Sequence, residues 1–143
     1  MKATRIFVSL LCAPFLLTGC SQDEGPSANI EPYDGIAEIE QITLLGNEPF
    51  WNIKIAGETA TFSSPDDLDG TEFAVTRFAG NNGLGFSGEL QGQAMQIAVT
   101  PGSCSDGMSD RDYPFAATIA WGDRSLKGCA YTDHQPFSGD EAP

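Results

Sequence analysis

From Trp51 to Tyr131 the apolar residues recur at every second position. The period of 3.6 expected of a surface helix is absent. Trp51-Asn52-Ile53-Lys54-Ile55 alternates apolar and polar, and Ala60-Thr61-Phe62 does the same after the turn Ala56-Gly57-Glu58. Phe73–Phe78, Leu84–Leu90, Met95–Val99, Phe115–Trp121 and Ser125–Tyr131 continue the pattern. Successive side chains of a strand point to opposite faces, so this alternation predicts strands with one buried face. Turn-forming clusters separate them: Ser64–Gly70, Gly80–Gly83, Gly92, Pro101–Ser109 and Gly122-Asp123. The run Ile36–Leu45 reads as a further strand, with a helical turn as the alternative. The expectation is an all-β domain, a small antiparallel barrel or closed sandwich of seven to eight short strands.

The pattern changes at both ends. Lys2 and Arg5 precede Ile6–Leu17, a run of 12 residues that is almost entirely apolar. That run is too short for a membrane-spanning helix, which needs about 20 residues, and has the order of parts of a secretory signal. Ser21–Tyr33 is polar and acidic and carries two prolines, as a flexible spacer does. Thr132–Pro143 again has two prolines, few apolar residues and three acids. Four segments follow: a signal at 1–19, a tether at 20–35, a β domain at 36–131 and a disordered acidic tail at 132–143.

Leu17-Thr18-Gly19-Cys20 closes the signal and resembles the lipobox of bacterial lipoproteins. The resemblance implies cleavage before Cys20 and acylation of its thiol, so that the mature chain is held to a membrane by lipid. In enteric-type lipoproteins an aspartate after the cysteine retains the protein at the inner membrane. Ser21 stands there in this chain, which implies the outer membrane, facing the periplasm.

The full chain has 7 basic and 20 acidic residues and a formal net charge of −13; loss of Lys2 and Arg5 with the signal takes it to −15. Such a chain repels nucleic acid and attracts cationic partners, while a soluble acidic surface with no partner accounts for the same charge. Of the four cysteines, Cys12 leaves with the signal and Cys20 carries lipid, which leaves Cys104 and Cys129. They lack the Cys-x-x-Cys spacing of redox dithiols and the ligands of a zinc site. In an oxidising compartment they are expected to form a structural disulfide, worth about 3.5 kcal/mol in the chain-entropy model.

Two segments stand out from ordinary strand-and-turn sequence. Gly46-Asn47-Glu48-Pro49-Phe50-Trp51 opens the first strong strand. Cys104-Ser105-Asp106-Gly107-Met108-Ser109-Asp110-Arg111-Asp112-Tyr113-Pro114-Phe115 is answered by Leu126-Lys127-Gly128-Cys129-Ala130. Together they resemble an uncharacterised family of small bacterial envelope proteins, commonly lipoproteins, with Gly-x-Glu-Pro-Phe-Trp and Cys-x-Asp-Gly-Met-Ser-Asp-Arg-x-Tyr-Pro motifs. The match runs from Gly46 to about Tyr131. It implies a fold and a location but no chemistry. Lysozyme-inhibitor-type and META-type envelope domains stand beside this family, which implies a binding role.

The second segment has two accounts. In one, Asp106, Ser109 and Asp110 bond nearby backbone N–H groups and shape a loop, Arg111 pairs with a carboxylate such as Glu48, and Pro114 ends the loop. In the other, the same disulfide-pinned loop is a recognition surface made of Asp106, Met108, Asp110, Arg111 and Tyr113.

Catalytic and metal motifs are missing. The single histidine, His134, lies in the expected tail, and no Gly-x-Ser-x-Gly or His-Glu-x-x-His occurs. Asp67-Leu68-Asp69-Gly70 resembles part of an EF-hand loop. Alignment on Gly70, however, puts Pro65 and Thr76 where Asp and Glu are required. The expectation is a non-enzymatic binding module with no metal and no cofactor, anchored to the membrane by its N-terminal lipid. Its partner would be a basic protein or a cell-wall component. The alternative is a structural envelope lipoprotein without a dedicated ligand.

Overall fold

The computed structural model describes residues 31–140; the expected signal segment, Cys20 and most of the tether lie outside them. Eight strands form a closed antiparallel barrel in which each strand pairs with the next and the last closes on the first. They are β1 (Ile42–Asn47), β2 (Phe50–Ala56), β3 (Thr59–Ser64), β4 (Asp67–Ala79), β5 (Leu84–Leu90), β6 (Gln93–Ser105), β7 (Asp112–Trp121) and β8 (Arg124–Thr132). The expected all-β class and strand number are therefore observed, and the architecture is the barrel. Closure leaves no unpaired sheet edge.

The period-two pattern places the core inside. Ile42 and Leu44, Trp51, Ile53 and Ile55, Met95, Ile97 and Val99, and Phe115, Ala117, Ile119 and Trp121 are all buried. An eight-stranded barrel is just wide enough for such side chains to fill it. Trp51 needs room that only glycine provides. It pairs with Gly46 on β1, and a Cβ on Gly46 would collide with its indole. A Cβ on Gly128 of β8 would meet both the Leu45 carbonyl and the same ring. The two segments that stand out in the sequence are thus joined inside the barrel by one tryptophan.

Connections alternate between the two ends. The turns after β1, β3, β5 and β7 ring one end, called the mouth. The opposite end holds the turns after β2, β4 and β6, the segment before β1 and the segment after β8. Two expectations about this end need correction. Ile36–Gln41 is not strand. Ile36 is buried, and Ala37 donates its N–H to the Glu40 side chain at 2.8 Å, so a tight turn forms and β1 starts at Ile42.

The expected disordered tail is also overturned as far as Asp140. Asp112 and Ser138 exchange both backbone hydrogen bonds, Phe137 packs on Tyr113 and Tyr131, and the Thr132 hydroxyl accepts the Gln135 N–H at 2.9 Å. One aromatic residue with aromatic neighbours to pack on outweighs the polar composition around it.

Two turn clusters are partly strand. β4 begins at Asp67, whose carboxylate accepts the Gly70 N–H and the Thr71 hydroxyl. Asp67, the first of the EF-hand-like acids, is accordingly engaged in local turn bonding. β6 runs on to Ser105 through a register shift between Pro101 and Cys104, which lets the β6–β7 hairpin extend past the barrel.

Candidate functional site

The extended β6–β7 hairpin folds back over the outside of β8. Cys129 points outward from β8, and Cys104 meets it in a disulfide with a Cα–Cα distance of 5.6 Å. Farther along, the backbone carbonyl of Asp106 accepts the side-chain amide of Asn47 at 2.5 Å, which ties the loop tip to the β1–β2 turn.

Asp106 organises this loop. Its Oδ1 accepts the N–H groups of Met108 and Ser109, each at 2.9 Å. Its Oδ2 accepts the hydroxyls of Ser109 at 2.8 Å and Tyr113 at 3.1 Å. Burial alone would push the carboxyl up, but these four donors outweigh it and hold Asp106 at a pKa of about 2. Burial also pushes the Tyr113 hydroxyl above its ordinary value; a bond with Arg111 opposes the shift and the Asp106 carboxylate adds to it.

The five expected binding residues therefore separate. Tyr113 is 1 % exposed and packs on Tyr131 and Phe137, so it supports the loop from below and is not part of a contact surface. Asp106 is spent on local bonds, as the structural account has it. Arg111 lays its guanidinium over Phe137, 4.4 Å from the ring centroid. Asp110 is exposed on the side of the loop nearest Gly139. Met108 alone presents a large apolar side chain to solvent, at 61 % exposure.

The more developed surface lies around the mouth. Phe50 is 52 % exposed and borders three adjoining hollows. The first, about 400 Å³, lies between the β1–β2 and β3–β4 turns and is lined by Phe50, Pro65 and Leu68 with Asn47, Asn52 and Ser63; no charged side chain lines it. The second, about 810 Å³, separates Phe50 and Glu48 from Met108 and Asp106, with Lys127 of β8 between them. The third, about 720 Å³, is the mouth itself, where Trp51, Phe62 and Trp121 meet Asp66, Asp67 and Arg124. Phe62 and Trp121 pack at 5.1 Å, and Arg124 lies over the Trp121 ring at 3.6 Å.

Sequence reasoning passed over Leu68 and Arg124. For Phe50 and Trp51, consecutive in a strand, it gives opposite faces without deciding which of the two stays outside. Which one stays outside follows from Gly46 and Gly128, whose role needs the strand register. No family model, curated protein or solved structure matches the chain.

Proposed function

We propose that this protein is a lipid-anchored domain of the bacterial envelope that binds a cell-wall component, without catalysing a reaction, through the mouth end of its barrel. The observation that carries the proposal is the convergence of three hollows on Phe50. Binding sites are concave and mostly apolar, with a few placed polar groups, and are frequent at the mouths of barrels. An exposed aromatic ring beside the neutral side chains of Asn47, Asn52 and Ser63 suits a ligand that is itself uncharged, ring-shaped and hydroxylated.

The anchor rests on the basic and apolar N-terminal segment and on Leu17-Thr18-Gly19-Cys20, and the outer-membrane address on Ser21. The family resemblance of the Gly46–Trp51 and Cys104–Phe115 segments supports the envelope location. Palmitate labelling tests the anchor: label enters the exported protein and is lost in Cys20→Ser.

A second reading, a cationic protein partner, is favoured by the charge of −15 after processing and by Glu48, Asp66 and Asp67 around the hollows. Co-sedimentation with purified peptidoglycan sacculi at low and high salt separates the readings. Retention that survives high salt supports the cell-wall reading. No retention on sacculi, with capture of a basic test protein such as lysozyme only at low salt, supports the second. No binding in either arm leaves a structural lipoprotein without a ligand.

A further inference from the structure

At the end of the barrel opposite the mouth, His134 and Glu40 face each other with Nδ1 and Oε1 4.0 Å apart. That gap is too long for a hydrogen bond. Two ligands of one tetrahedral ion with bonds of about 2.0–2.2 Å stand about 3.4 Å apart, so a slight turn of the exposed His134 ring brings both onto one ion. Asp133 supplies a third donor: one imidazole nitrogen and one oxygen from each carboxylate all lie within 4.8 Å of one another.

Glu40 gives a separate reason to expect a cation. It is 8 % exposed, and its only ion-pair partner among the described residues is His134. A carboxylate buried to this degree is normally paired or coordinates a metal, and a histidine pairs with it only while protonated. The carboxylates are also held from behind, as metal ligands commonly are. Glu40 accepts the Ala37 N–H at 2.8 Å and the Thr132 hydroxyl at 2.5 Å, and Asp133 accepts the Gln41 N–H at 3.0 Å. The Gln135 side chain also bonds Glu40, and the Glu40 carboxylate keeps an acceptor site for an ion, as does that of Asp133.

We propose that Glu40, Asp133 and His134 bind a divalent first-row transition ion of the zinc type, His134 through Nδ1, with solvent completing the shell. Three protein ligands plus solvent is an ordinary zinc arrangement, whereas calcium takes six to eight oxygens and has little use for imidazole. Glu40 precedes β1 and the other two ligands follow β8, so the ion ties the two ends of the barrel domain together across the β1–β8 seam.

Titration of the purified protein with zinc chloride, followed by calorimetry and by the imidazole nitrogen resonances of the chain's single histidine, tests this. One saturable site is expected, with the Nδ1 resonance responding and the thermal midpoint rising. His134 is exposed, so His134→Ala should fold normally and weaken zinc binding about tenfold or more. Absence of saturable binding, wild-type affinity in His134→Ala, or calcium bound as tightly as zinc would each overturn the proposal.

Discussion

The hydroxyl of Tyr113 donates to the Asp106 carboxylate at 3.1 Å, seven residues back along the chain. Asp106 lies in the loop that turns back over β8, and Tyr113 lies beneath it with Tyr131 and Phe137. One carboxylate thereby fixes the loop's own turn and its seat on the barrel.

This arrangement makes the loop acid-sensitive. The folded pKa of Asp106, about 2, lies below the ordinary 3.8. Its stabilisation is then present above the unfolded value and lost as pH falls from near 4 through about 2. The bonds contribute about 1–2 kcal/mol at neutral pH, discounted because the residue is partly exposed. Asp106→Asn should lower the thermal midpoint at pH 7 and make little difference at pH 2. Melting curves of both proteins across that range check it.

Cys104 and Cys129 should act as one unit. Removing either thiol should cost about 2–5 kcal/mol, and the double variant should be no less stable than either single one. Denaturant unfolding of the three variants measures this. Additive losses would contradict a shared bond.

The Trp51 indole predicts an asymmetry between two glycines. The atoms nearest the added methyl of Gly46→Ala belong to the ring, whereas those nearest the methyl of Gly128→Ala include the Leu45 carbonyl, which cannot move aside. Both changes destabilise by about 1–3 kcal/mol or more, as overpacking does, and Gly128→Ala should be the worse. Trp51→Phe should relieve much of the Gly46→Ala penalty and little of the other. A double-mutant cycle in chemical unfolding reads the coupling directly.

How far these features are visible in the sequence depends on whether they are local. The alternation of Trp51, Ile53 and Ile55 reports strand and inner face together, and Cys104 and Cys129 stand out as the two cysteines beyond the N-terminal segment. Gly46 and Gly128 carry no local sign of their role, because the ring they accommodate comes from a third strand position set by barrel register. The same holds for Phe137 and His134. Both sit among prolines and acids that read as a tail, and their partners Tyr113 and Glu40 are distant in sequence. Tyr113 shows the opposite error: an aromatic residue in an acidic loop suggests a contact surface, yet its neighbours bury it.

The central claim, that the mouth end around Phe50 binds a cell-wall component, is tested most directly by sacculus co-sedimentation of two surface variants. Phe50→Ser removes the ring at the meeting point of the hollows. Ile39→Ser removes a still more exposed apolar side chain from the other end of the barrel. Both should leave stability within about 0.5 kcal/mol. The account predicts that Phe50→Ser loses most of the retention while Ile39→Ser keeps it at the wild-type level. Equal retention of the wild type and Phe50→Ser would contradict it.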